Sequence, residues 1–157
     1  MSDLDQLYQQ IILDHAKARH GAGLVEAPEG VASGESMQHN PVCGDHIRLR
    51  IQLEGSTVKN VSWEGDGCSI SMASASVLSE MAEGIERDEF MVILDEFREL
   101  MRSRGSRAGD EEVLGDGAAF AGVSKFPARV KCAMLSWVAA EAALLAANPA
   151  LVRAESG

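Results

Sequence analysis

Positive charge is scarce in this sequence: 14 Lys and Arg stand against 24 Asp and Glu, for a formal net charge of −10. So acidic a chain is not expected to bind nucleic acid, because grip on a phosphate backbone needs clustered Lys and Arg to displace counterions. Long hydrophobic runs are also missing. No stretch of about 18 apolar residues occurs, so no membrane span is expected. The opening "MSDLDQLYQQ" lacks the basic and then apolar order of a signal peptide, and a cytoplasmic location is the expectation. Internal repeats and low-complexity tracts are absent. Cysteine is rare, with three in the chain. An odd number of thiols, in a compartment that keeps them reduced, is a poor basis for a disulfide framework. Metal ligation, catalysis and simple burial remain open to them.

What is present suits one compact domain. The 157 residues with 46% hydrophobic content supply a core for a single domain over 1–157 and leave little room for a second. Residues 3–19 repeat apolar side chains at helical spacing (Leu4, Leu7, Tyr8, Ile11, Ile12), with Ser2 or Asp3 as cap. Residues 21–38 are rich in Gly, Pro, Ala and Glu and read as loop. "HIRLRIQLEG" alternates strictly, with Ile47, Leu49, Ile51 and Leu53 on one face, which predicts a half-buried strand. "TVKNVSWEGDG" follows a Gly55-Ser56 turn and completes a hairpin. Residues 69–84 predict a short crossing and then a helix whose small residues Ala73, Ser74, Ala75 and Ser76 allow close packing. "RDEFMVILDEFRELMRSRG" predicts a strongly amphipathic helix with Phe90, Ile93, Leu94, Phe97, Leu100 and Met101 on its stripe. Residues 105–122 read as an exposed loop with at most one helical turn. A last helix is predicted from Pro127 to about Ala147. Strands followed by helices indicate an α+β fold, an antiparallel sheet of about three strands with helices on one face.

The chemistry concentrates on the thiols. "NPVCGD" puts Cys43 two residues before Asp45, with Pro41 and Gly44 favouring a tight bend. A plain turn that displays a small thiol accounts for those six residues taken alone. Cys68 falls between "GDG" and a predicted helix start, where the positive end of the helix dipole favours a thiolate. Cys132 sits near the start of the last helix beside Lys125, Arg129 and Lys131, a basic run in an acidic chain. Nearby cations lower a thiol's pKa, ordinarily about 8.5. All three cysteines lie at element boundaries, where side chains can converge. Together with Asp45 they would form a four-coordinate set suited to Zn²⁺. Their separations are not those of a zinc finger, so spacing alone does not name the metal. His15 and His20 flank the end of the first helix, and His39 and His46 bracket the Cys43 turn. A cation at His15 or His20 suits the dipole at that helix end, and a solvated loop or strand position is a simpler account of His39 and His46 than a ligand or proton carrier.

Read as motifs in order, "LYQQIILDHAKARHG", "NPVCGDHIRL", "GDGCSISMASAS" and "FPARVKCAMLSW" make the chain resemble the IscU/SufU family of iron–sulfur cluster assembly proteins, and within it the SufU-type branch. The resemblance spans nearly the whole sequence. It implies an antiparallel sheet with helices packed on one side, and Cys43, Asp45, Cys68 and Cys132 gathered as metal ligands at one exposed end. IscU-type members carry a histidine just before the last cysteine, where this chain has Lys131. They also have a shorter connection between the second and third motifs, whereas residues 84–125 are expanded. The resemblance implies zinc-dependent sulfur transfer, with Cys43 accepting persulfide sulfur from a SufS-type cysteine desulfurase and stimulating it. Downstream iron–sulfur scaffold proteins are then the further partners, and the chain by itself is expected to be monomeric. Lys125, Arg129 and Lys131 are the candidate docking residues. The alternatives are a scaffold that assembles a [2Fe–2S] cluster on the same cysteines and a structural zinc module. More remote is a cysteine hydrolase, with Cys43 as nucleophile and His39 or His46 as base.

Overall fold

The computed structural model describes residues 3–41 and 44–147. In chain order its elements are α1 (Asp3–Ala18), β1 (Ala32–Asn40), β2 (Asp45–Glu54), β3 (Thr57–Asp66), α2 (Ser69–Ala82), α3 (Arg87–Arg102), α4 (Glu111–Leu114), a 3-10 segment (Gly115–Lys125) and α5 (Pro127–Ala147). The three strands form one antiparallel sheet in the order β1-β2-β3. The expected α+β class is the observed one.

Period-two patterning builds the sheet. Ile47, Leu49, Ile51 and Leu53 on β2 are all buried, and Leu49 faces Trp63 while Ile51 faces Val61 on β3. Each such side chain withdrawn from water contributes about 1.5–3 kcal/mol. On the opposite face Arg50 pairs with Glu35 of β1 at 2.6 Å. The chain between α1 and β1 crosses that face. Arg50 and Gln52 both donate to the carbonyl of Val25, whose own N–H donates to Ser62 Oγ. The buried polar side chains Gln52 and Ser62 are thereby satisfied.

β1 corrects the expectation of a loop over 21–38. Its sequence "ASGESMQHN" has no apolar alternation, and its one large apolar side chain, Met37, is exposed. The position that faces α5 is Gly34, where a Cβ would lie 2.0 Å from the carbonyl oxygen of Ala143. β1 packs by backbone proximity, which leaves no hydrophobic signature.

α5 starts at Pro127 and ends at Ala147, as expected. With a mean hydropathy of 1.5 over its best window it is long and apolar enough to cross a membrane by length and composition alone, and half of that window is buried within the protein. It is the central helix of the core. α2 lies beside it: Ser74 Oγ donates to the carbonyl of Ala133 and accepts from Trp137 Nε1, so small α2 side chains do allow a close approach. α2 begins directly at Ser69, without the expected crossing. The six stripe residues predicted for α3 are its buried residues. Phe97 stacks on Trp137 at 4.2 Å and meets Phe120 edge-on. Phe120 belongs to the stretch 105–122, which is therefore not an exposed loop. Leu114, Ala118, Ala119 and Phe120 are buried there, at a spacing too short for an α-helical pattern to reveal.

α1 differs from its predicted stripe. Tyr8 and Ile12 pack against the core, but Leu4 and Leu7 are about half exposed and His15 is the helix's buried residue. The helix rides on α2 and the 3-10 segment at the rim of the fold. Of its two expected caps, Ser2 lies outside the described residues.

Candidate metal centre

Three chain segments meet at one end of the sheet. β2 opens with Asp45, immediately after Gly44, whose N–H donates to the Asn40 carbonyl at 2.8 Å and whose φ of 74° is readily available only to glycine. β3 ends at Asp66, and Gly67 leads into Cys68, the N-cap residue of α2. A Cβ at position 67 would stand 2.6 Å from Asp45 Oδ1, so the absent side chain makes room for the carboxylate. Cys132 comes from the second turn of α5 and is buried, whereas Cys68 is exposed.

Ligand-type atoms of Asp45, Cys68 and Cys132 all lie within 4.8 Å of one another. Asp45 is 2% exposed, and its carboxylate is bound from several sides. Oδ1 accepts the Cys68 N–H at 3.1 Å, while Oδ2 accepts the Ser71 hydroxyl and faces the Cys68 thiol at 3.6 Å. Burial pushes the Asp45 carboxyl up. The hydrogen bonds from Ser71, Cys132, the Cys68 N–H and the Cys68 thiol outweigh it and hold the group below its ordinary value. An ionised carboxylate beside two thiols is a donor set that suits a borderline-soft dication such as Zn²⁺. A shallow cleft of about 350 Å³, lined by Gly44, Asp45, His46, Asp66, Gly67 and Cys68, opens the site to solvent.

The fold agrees with the comparisons. The model of the NifU-like N-terminal domain matches residues 7–133. The chain belongs to that family. It is 42% identical over 140 residues to the zinc-dependent sulfurtransferase SufU of Bacillus subtilis, covering 89% of this chain and 90% of that one. It is 33% identical over 144 residues to the iron–sulfur cluster assembly scaffold protein IscU of Streptococcus pyogenes, covering 92% and 86%. Among solved structures, the SUF-system protein FiSufU of Fervidobacterium islandicum superposes with a TM-score of 0.71 at 33% identity, over 88% of this chain and 97% of that one. The resemblance read from the cysteine motifs is borne out.

Within this NifU-like domain Cys43 lies outside the described residues. His39 and His46 are exposed and face each other across the β1–β2 pairing; neither belongs to the converging triad. Lys125, Arg129 and Lys131 are exposed near the α5 N-terminus. Lys125 and Arg129 also line a groove of about 610 Å³ between α1 and the start of α5, together with Tyr8, Leu13 and the half-exposed Phe126. The Arg129 guanidinium lies 5.8 Å from the Phe126 ring centre. Sequence reasoning missed Ser71 and Gly67. Ser71 stands three residues after Cys68 on α2, one helical turn on, and that spacing was the available signal.

Proposed function

We propose that this NifU-like domain is a zinc-dependent sulfur acceptor and carrier in iron–sulfur cluster assembly. Its sulfur comes from the persulfide of a SufS-type cysteine desulfurase, which it stimulates, and passes on to downstream iron–sulfur scaffold proteins. The observation that carries the reading is the convergence of Asp45, Cys68 and Cys132 within 4.8 Å, with Cys43 two residues from Asp45 along the chain. The similarity to a protein named a zinc-dependent sulfurtransferase supports it.

Cys43, Asp45, Cys68 and Cys132 would hold the ion. Bound zinc keeps thiols deprotonated at neutral pH while muting them as nucleophiles. Cys43 is the acceptor because it precedes Gly44 in the sequence that joins β1 to β2, whereas the other two thiols belong to the ends of helices. Cys68 is fixed at the N-cap of α2 through its N–H bond to Asp45, and Cys132 is buried on α5. The Cys43 thiolate attacks the outer sulfur of the partner's persulfide. The S–S bond to the partner breaks, the partner leaves as a thiolate, and Cys43 carries the new persulfide. Charge and electrons balance, so no external oxidant or reductant enters. Asp45 keeps Ser71 and the Cys68 N–H engaged, which holds the Cys68 thiol in position.

A scaffold role, with a [2Fe–2S] cluster on the same residues, is the second reading, favoured by the similarity to proteins named IscU. Metal content and an optical spectrum of anaerobically purified protein separate the two. Colourless protein with zinc fits sulfur transfer, and a coloured iron–sulfur form fits the scaffold. The decisive test is Cys43→Ala in a desulfurase assay: stimulation is lost while the fold persists. Full stimulation by that variant would remove Cys43 from the acceptor role.

A further inference from the structure

Arg19 follows the last residue of α1 and closes the helix with a φ of 50°, in the left-handed region where Gly or Asn is the usual occupant. Its N–H donates to the His15 carbonyl at 3.0 Å and its own carbonyl accepts the Ala22 N–H, so the backbone alone completes the turn. The side chain makes contacts that a glycine could not. Nη1 donates to Met72 Sδ at 3.1 Å and Nη2 to the Gly65 carbonyl at 3.3 Å, while the guanidinium lies 4.9 Å from the Trp63 ring centre. Gly65 and Met72 flank the turn that carries Cys68. Gly65 stands three residues before it near the end of β3, and the Met72 N–H on α2 donates back to the Cys68 carbonyl at 3.1 Å.

We propose that Arg19 is a positioning residue of the metal centre, whose forked guanidinium bridges the two flanks of the Cys68 turn and fixes the place of that thiol. The inference rests on the reading of Asp45, Cys68 and Cys132 as metal ligands. Two acceptors on either side of a turn call for two donors in a fixed relation, which a planar guanidinium has and an ammonium lacks. Both acceptors are themselves held. A Cβ at position 65 would lie 2.3 Å from the His46 carbonyl oxygen, so β3 is pressed there against the residue next to Asp45, and Met72 is buried. The root of the bridge is held as well. Trp63 donates its N–H to the Gly21 carbonyl, accepts the Gly23 N–H, and donates Nε1 to the His20 carbonyl at 2.8 Å. On the other side His15 Nε2 lies 2.8 Å from Asp116 Oδ2 and Nδ1 2.8 Å from Ser76 Oγ. Ser76 Oγ also accepts the His20 N–H, and His20 Nε2 meets Glu80 Oε2 at 2.9 Å. With both ends anchored, loss of the guanidinium is felt at the Cys68 turn, the one unclamped stretch between them.

Two variants separate the side chain from the backbone turn. Arg19→Gly suits the positive φ and keeps the end of α1 closed while removing the bridge. Arg19→Lys keeps the charge and loses the fork. Metal-stripped full-length wild type and both variants are titrated with Co²⁺ to record the thiolate charge-transfer bands. Zinc affinity is measured by chelator competition, and the metal-free proteins are unfolded in urea. Both variants should bind zinc about tenfold more weakly, the usual loss when a group behind a ligand is removed, and both should shift the charge-transfer bands. A merely structural role would lower the urea midpoint and leave the bands of the cobalt-loaded protein where the wild type has them. Wild-type bands or wild-type zinc affinity in Arg19→Gly overturns the inference. Full restoration by Arg19→Lys also overturns it, because charge alone would then suffice. A wild type without thiolate bands overturns the metal centre itself, and this inference with it.

Discussion

Ser71 donates its hydroxyl to Asp45 Oδ2, the same oxygen that the Cys68 thiol approaches at 3.6 Å. One oxygen thus couples the strand-borne carboxylate to two side chains on the first turn of α2. Ser71 holds a proposed ligand without being one. Ser71→Ala should lower zinc affinity by about tenfold or more, the usual cost of losing a partner behind a metal ligand. Circular dichroism should be unchanged. Chelator competition measures the affinity, and a wild-type value would make Ser71 a bystander.

Asp45 has two duties that a single substitution separates. As a proposed ligand it contributes charge and an oxygen, and as an acceptor it satisfies the Cys68 N–H at the start of α2. Asp45→Ala should weaken zinc binding. It should also destabilise the metal-free protein by about 1 kcal/mol, the scale of a lost N-terminal cap. Denaturant unfolding after metal removal isolates the second effect from the first. Unchanged zinc affinity would exclude Asp45 as a ligand.

Tyr8 on α1 donates its hydroxyl to Glu111 on α4 at 2.8 Å. Burial, that hydrogen bond and the Glu111 charge push the Tyr8 phenol up to about 12. The folded state therefore favours the protonated phenol. This contribution is fully present below the unfolded value of about 10 and is lost as pH rises through about 12. The stability difference between wild type and Tyr8→Phe should hold steady up to about pH 9 and shrink towards about pH 12. Urea midpoints at several alkaline pH values check it, and a pH-independent difference would remove the link to ionisation.

Legibility in the sequence followed side-chain periodicity. β2 and α3 were readable because Ile47 to Leu53 and Phe90 to Met101 bury one face at the period of a strand and of a helix. β1 was not, because its contact with α5 runs through Gly34. The stretch 105–122 was not, because a 3-10 segment buries Ala118, Ala119 and Phe120 in succession. Three of the four proposed ligands, Asp45, Cys68 and Cys132, were named from boundary positions and motif, and these converge. The His15 cluster was invisible. His15 and His20 read as cations suited to the C-terminal end of a helix, and Ser76, Glu80 and Asp116 reach them only through the packing of α1 on α2 and the 3-10 segment.

The basic residues near Cys132 pose the remaining choice, between docking a partner and balancing the charge of the metal centre. Lys125 and Arg129 line the groove beside α1, and Arg129 lies against Phe126, an aromatic side chain that is 55% exposed. A cation beside an exposed ring is a composition typical of contact surfaces. If the cluster docks the desulfurase, Arg129→Glu reverses one charge at the rim. Association should slow by about tenfold at low salt, and the deficit should narrow as salt screens the field. Zinc content should stay at the wild-type level, because a guanidinium stays protonated and has no lone pair to offer a metal. If the cluster instead balances the centre, the same variant should lose zinc and keep its partner affinity. Desulfurase binding kinetics at two ionic strengths, measured beside zinc content, distinguish these outcomes. A variant normal in both would reduce Lys125, Arg129 and Lys131 to ordinary surface charge.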